Sequence, residues 1–262
     1  MAILGPGFPN FATCLRLADD FLGAFRRCDT ETGLFALMES LAHEMDCRHF
    51  ALIHHDDLRS NPANRVNLKH YPAPVTDRII GKAQFRRDPV MRGCLFADGA
   101  FLWSDLPRII TISRHDRWCL EQGQQAGLNE GITVPCIALG QCVGSCTFAG
   151  MRHPQEAHRY LGMAQMLGIF AFQAAKRILG FVAEPAPPHR LHPRPRECVV
   201  LAGRGYSNKQ IARALELTPR TVDGYLREAR RLFQARDRAE LVVSAILAGE
   251  VGLDEVKRGQ PA

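Results

Sequence analysis

The chain has 262 residues, with 33 Lys and Arg against 27 Asp and Glu for a formal net charge of +6. Its length fits one large or two ordinary domains. No apolar run reaches the roughly 18 residues a spanning helix needs, and neither a signal peptide nor an internal repeat is visible, so the expected product is soluble and cytoplasmic, with no membrane contact.

In chain order, residues 12–26 and 33–46 carry helical periodicity, 49–54 and 65–70 alternate like strands, and 74–85 reads as a helix. A short strand follows at 101–103, a helix near 115–127, and strands at 131–139 and 143–149 joined hairpin-fashion through Gly140-Gln141. A long helix is predicted over 154–180, with Met163, Met166, Leu167, Phe170 and Ile178 on its apolar stripe, a face for a second copy or for its own domain. Strands joined by short turns, with helices at both ends, predict an α+β domain, an antiparallel sheet covered by helices in an α-β-α sandwich. Pro185, Pro187, Pro188 and Pro193 then mark a break. The expected division is a ligand-binding sensor domain over 1–180, a Pro-rich linker over 181–190 and an all-α domain over 191–262.

The nine cysteines are odd in number and irregularly spaced, which fits neither a disulfide framework nor paired metal knuckles; they read as small buried hydrophobes. Cys142 and Cys146 flank an apparent strand and make a poor redox pair. His54-His55-Asp56-Asp57 resembles a metal cluster on paper, but no partner cluster stands at ligand-like spacing, so it reads as a turn. No catalytic residue, metal or cofactor is expected, because no nucleophile elbow, P-loop or zinc signature occurs.

The last seventy residues carry the strongest signal. Ser207 with Gln210 forms a capping box ahead of Ile211, Ala212 and Leu215, so a short helix starts there. Thr218 caps a second helix, Pro219 suits its first turn, and Val222, Leu226 and Ala229 give its buried stripe. Two short helices with a tight connection form the scaffold that places the second in a major groove. Between His189 and Arg238 stand twelve Lys or Arg and five Asp or Glu, a balance of +7 that exceeds the +6 of the whole chain. Such a patch is the footprint of phosphate binding.

With Pro195-Arg196-Glu197, Leu201, Gly205 and Ser207-Asn208-Lys209-Gln210-Ile211-Ala212 before Thr221-Val222, residues 191–250 resemble the DNA-binding domain of LuxR-type transcriptional regulators. The resemblance implies contacts to double-stranded DNA from Lys209, Arg220, Thr221, Asp223, Gly224, Arg227, Arg230 and Arg231, with 223 and 227 facing base edges. Arg227 suits guanine O6 and N7. Asp223 departs from the family's usual basic choice, and a carboxylate there accepts from a cytosine amine or repels phosphate.

Fold alone leaves PAS-like, GAF-like and lactone-binding sensors open for the first domain. Tyr71-Pro72, Asp88-Pro89-Val90, Trp103, Gly127-Leu128, Gly131-Ile132-Thr133-Val134-Pro135, Gly144 and Thr147 resemble the autoinducer-binding domain of quorum-sensing LuxR-type proteins over residues 20–175. The resemblance implies that Asp88 accepts a ligand amide N–H, that Trp103 packs on a lactone ring, and that Tyr71 and Thr147 bond an acyl carbonyl. The ligand is then an N-acyl or aryl homoserine lactone. One departure stands out: four residues after Tyr71 the family places a Trp whose indole N–H donates to the lactone carbonyl, and this chain has Val75. The expected protein is a homodimer on a pseudo-palindromic operator; the alternative is a ligand-independent regulator or one sensing another small molecule.

Overall fold

The computed structural model describes residues 11–55, 65–77, 87–137, 144–180 and 191–257, in two separately packed bodies. The first contains helices α1 (Phe11–Arg27) and α2 (Glu31–Glu44), strands β1 (Cys47–His54) and β2 (Asn67–His70), then short helices α3 (Ala73–Thr76) and α4 (Pro89–Gly93). Strand β3 (Phe101–Leu102), a 3-10 turn (Trp103–Asp105), α5 (Leu106–Ile109), α6 (Arg114–Gln125), β4 (Gly131–Cys136), β5 (Gly144–Met151) and α7 (Leu161–Ile178) complete it. All pairings are antiparallel and the strand order is β2-β1-β5-β4-β3.

Because successive strand residues point to opposite faces, the sheet has two different surfaces. Phe50 and Leu52 of β1, Cys146 and Phe148 of β5, and Ile132 and Val134 of β4 point one way, into a core with Phe25, Leu34, Met38, Leu41 and Leu167 from α1, α2 and α7. Burying each of the large members stabilises the body by about 1.5–3 kcal/mol. Small residues Ala164, Gly168 and Ala171 let α7 lie close to the sheet; a Cβ on Gly168 would stand 3.0 Å from Val134 Cγ2. On the opposite face, Ala51, Ile53, Thr133, Ser145 and Thr147 look toward α3–α6, and the register sets Thr147 beside both Ala51 and Thr133. This is the predicted helix-covered antiparallel sheet.

Three boundaries differ from expectation. The helix predicted over 154–180 is split: Pro154–Tyr160 winds as a 3-10 helix and α7 begins at Leu161. Its inward residues Pro154, Ala157 and Tyr160 are spaced by three, the period at which 3-10 side chains eclipse, so the tighter winding brings them onto one line. Trp103 opens the 3-10 turn instead of closing a strand, and β4 ends at Cys136. Of the helix expected over 74–85, Ala73–Thr76 is seen. Residues 78–85, the connection at Gly140-Gln141, Cys142, Asp56, Asp57 and the linker over 181–190 lie outside the described residues. The stripe on α7 largely packs on its own body: Leu167 is buried, and Met163, Met166, Phe170 and Ile178 lie against the same core.

The second body is all helical: α8 (Pro193–Gly203), α9 (Asn208–Ala214), α10 (Pro219–Leu232), α11 (Arg238–Leu247) and α12 (Leu253–Val256). Among the described residues no helix is long and apolar enough to cross a membrane.

Candidate functional site

One cavity opens between the polar face of the sheet and the α3–α6 layer, and Tyr71, Val75, Asp88, Trp103 and Thr147 all line it. It is narrow, about 60 Å³, the space of a few waters. Asp88 reaches it as the N-cap of α4: Val90 N and Met91 N donate to its Oδ1 at 3.0 and 3.3 Å, which fixes the carboxylate although the residue is only 9% exposed. Across the wall runs a line of polar groups. Trp103 Nε1 donates to Thr133 Oγ1 at 2.9 Å, Thr133 Oγ1 lies 3.1 Å from Thr147 Oγ1, and Thr147 and Tyr71 line the cavity together. Burial pushes the Tyr71 phenol well above its usual range and the nearby Asp88 charge adds to this, so the phenol stays protonated.

Val75 is 4% exposed and packs with Leu128 and Ala149, so the departure from the family pattern is filled by an apolar contact. Gly131 allows the indole of Trp103 to lie on β4: a Cβ there would meet Trp103 Cε2 at 2.8 Å and Phe148 O at 2.9 Å. Arg92 Nη1 donates to both carboxylate oxygens of Asp116, at 2.9 and 2.8 Å, which ties α4 to α6. Burial pushes the Asp116 carboxyl up, but hydrogen bonds from Ser113 and the Arg92 guanidinium outweigh this and hold it below its usual value.

Sequence reasoning gave Thr133 and Ser145 no site role of their own and read His55 only as part of a turn. Thr133 backs Trp103 and Thr147, while Ser145 lines the cavity and takes a 2.8 Å hydrogen bond with His55 Nε2. Their signal is the register, Thr133↔Thr147 and Ile53↔Ser145, which only strand pairing supplies. Of the suspected metal cluster, His54 is buried with its Nδ1 accepting from Val66 N at 3.0 Å, and among the described residues no three His, Cys, Asp or Glu gather around a common point.

In the second body both predicted helix starts are seen. Ser207 and Gln210 close a capping box, and Thr218 Oγ1 accepts from Thr221 N at 3.1 Å. The turn between them is made by Glu216 in the left-handed region (φ 56°) with Leu217 N donating to Ala212 O at 2.8 Å, the arrangement that ends a helix sharply. Val222, Leu226 and Ala229 are buried, which turns Arg220, Asp223, Gly224, Arg227 and Arg231 to the opposite side of α10. Asp223 pairs with Arg227 one turn on, so its carboxylate is engaged by the neighbouring guanidinium. Lys209, Arg220 and Arg231 are exposed and Arg230 is half-buried, and among the described residues none is paired with an acidic side chain. Arg196 is structural: it bonds Glu250 O at 2.9 Å and Glu255 at 2.6 Å.

A cavity-bearing sheet domain together with a capped helix-turn-helix defines a ligand-responsive DNA-binding regulator. The chain belongs to the LuxR family of bacterial regulatory proteins: residues 30–175 match the autoinducer binding domain and residues 189–245 match "Bacterial regulatory proteins, luxR family". It is 30% identical over 185 residues to the HTH-type quorum sensing-dependent transcriptional regulator RpaR of Rhodopseudomonas palustris, covering 70% of this chain and 74% of that protein. It is 27% identical over 184 residues to the transcriptional activator protein BjaR1 of Bradyrhizobium diazoefficiens, covering 70% of this chain and 75% of that protein. The crystal structure of Escherichia coli SdiA shares the fold, with a TM-score of 0.54 at 18% identity over 90% of this chain and 98% of that one.

Proposed function

We propose that this regulator binds an N-acyl or aryl homoserine lactone in the cavity and changes its affinity for a pseudo-palindromic operator in response. The observation that carries the reading is one cavity lined by Tyr71, Asp88, Trp103 and Thr147, with Thr133 behind it tying the Trp103 indole to the Thr147 hydroxyl. An indole N–H can only donate, so Thr133 Oγ1 accepts from Trp103, and the bond between the two threonine hydroxyls runs in either sense. In this reading the Tyr71 O–H donates to an acyl carbonyl, while the Asp88 carboxylate accepts the amide N–H beside it. An amide presents both groups, and the charge-assisted bond to Asp88 is the stronger anchor. The indole face of Trp103 and the side chain of Val75 bound the lactone end.

Lys209, Thr221, Arg230 and Arg231 hold phosphates in this reading, Gly224 lets the backbone approach the groove, and Arg220, Asp223 and Arg227 face it. The protein works without catalysis or cofactor, in the cytoplasm, as a homodimer, with the sensor over 1–180, a linker over 181–190 and the DNA-binding domain over 191–262. The test is mass spectrometry of small molecules released from protein purified out of cells supplied with a mixture of acyl-homoserine lactones. Stoichiometric recovery of one lactone is the expected result; recovery of none from a folded protein would overturn the ligand assignment and favour the ligand-independent alternative.

A further inference from the structure

The cavity wall does not become apolar beyond the amide-binding groups. Ser145 lies two residues from Thr147 on the same face of β5, about 7 Å along the strand, and is 5% exposed. Ile53 is its partner across the strands, and Ile53, Val90 and Met91 line the same cavity. His55 Nε2 is 2.8 Å from its Oγ. A hydroxyl offers one donor and two acceptor sites, so beside the His55 bond Ser145 keeps hydrogen-bonding capacity at the wall of the cavity it lines.

An all-carbon tail laid against Ser145 covers that hydroxyl without satisfying it, which costs free energy, whereas a tail carrying a hydroxyl at that distance satisfies it. Building on the lactone assignment above, we propose that the cavity selects an acyl tail bearing a hydroxyl group about 7 Å beyond the amide carbonyl. Ser145 is the contacting residue. His55 is a positioning residue, fixing the Ser145 rotamer from the strand end.

Calorimetric titration of the full chain with N-(6-hydroxyhexanoyl)-homoserine lactone and with N-heptanoyl-homoserine lactone tests this, since the two differ by a hydroxyl in place of a methyl. The wild-type protein should prefer the hydroxylated ligand by about tenfold, the effect of one hydrogen bond between neutral groups. Ser145→Ala should bind both alike, His55→Leu should lose part of the preference, and His55→Gln, which keeps a side-chain donor and acceptor, should restore it. Melting curves of each variant accompany the titrations, and the wild-type comparison depends on no variant folding. Equal binding of both ligands by the wild type, or a preference that survives in Ser145→Ala, overturns the proposal while leaving the lactone assignment standing. Failure of both ligands to bind overturns the assignment and the proposal together.

Discussion

Thr133→Val isolates the hydroxyl line because valine keeps the shape of threonine and removes only its polar atom. The substitution deletes the acceptor of Trp103 Nε1–H at 2.9 Å and the partner of Thr147 at 3.1 Å, in a residue that is wholly buried. A lost neutral hydrogen bond costs about 0.5–1.5 kcal/mol, and a buried donor left without a partner costs about 1–3 kcal/mol. Taking the indole as the stranded group gives a loss of about 2–3 kcal/mol. For a domain of this size that lowers the melting temperature by roughly 4–12 °C. Thermal unfolding followed by tryptophan fluorescence is the assay, since the chain has only 2 Trp. Thr133→Ser, which keeps the hydroxyl, should lose about 1 kcal/mol or less. If Thr133→Val melts within a degree of the wild type with unchanged fluorescence, the bond to Thr133 does not hold Trp103.

Asp116 predicts a pH dependence. Its folded value lies below the ordinary one of 3.8, so the bridge to Arg92 contributes stability above that ordinary value and loses it as the pH falls through the folded value. Urea midpoints of wild type and Asp116→Asn should therefore differ by a constant amount at neutral pH and converge under acid; a gap independent of pH would contradict the bridge. Val75→Trp should destabilise the protein by about 1–3 kcal/mol, because Val75 is buried against Leu128 and Ala149 and a larger ring there overpacks the wall; a melting temperature equal to the wild type's would show that the wall yields readily. Asp223→Ala releases Arg227, so affinity for random-sequence DNA should rise and the slope of log affinity against log salt should steepen by about one charge, with poorer discrimination among operators. An unchanged salt slope would place the pair away from the DNA.

The helix-turn-helix was legible in the sequence because its determinants are local. Ser207 and Gln210, Thr218 and Pro219, and the stripe Val222, Leu226, Ala229 each act within one or two turns. The Asp223–Arg227 pair was not read from the sequence, where contact to a cytosine amine or repulsion of phosphate is expected for the carboxylate, although its spacing of four is that of neighbours on a helix. Tyr71, Asp88, Trp103 and Thr147 emerged through family resemblance, and the fold brings them to one cavity. Thr133, Ser145 and His55 did not, because their partners lie 30, 14 or 90 residues away and meet only through the register of β1, β4 and β5. The split of the helix expected over 154–180 escaped for a different reason: spacings of three and of 3.6 coincide over a stretch as short as Pro154–Tyr160.

The measurement that bears most directly on the account is calorimetric titration of the full chain and its Asp88→Asn variant with the lactone recovered from the protein. The variant keeps the size of the side chain and an oxygen able to cap α4, but it forfeits the charge-assisted bond to the amide N–H. Its affinity should fall by about 1.5–3 kcal/mol, roughly ten- to a hundredfold, with little change in melting temperature. Equal affinities for the two proteins would mean that Asp88 serves only to cap α4, and the amide-binding role of the cavity would fall with it.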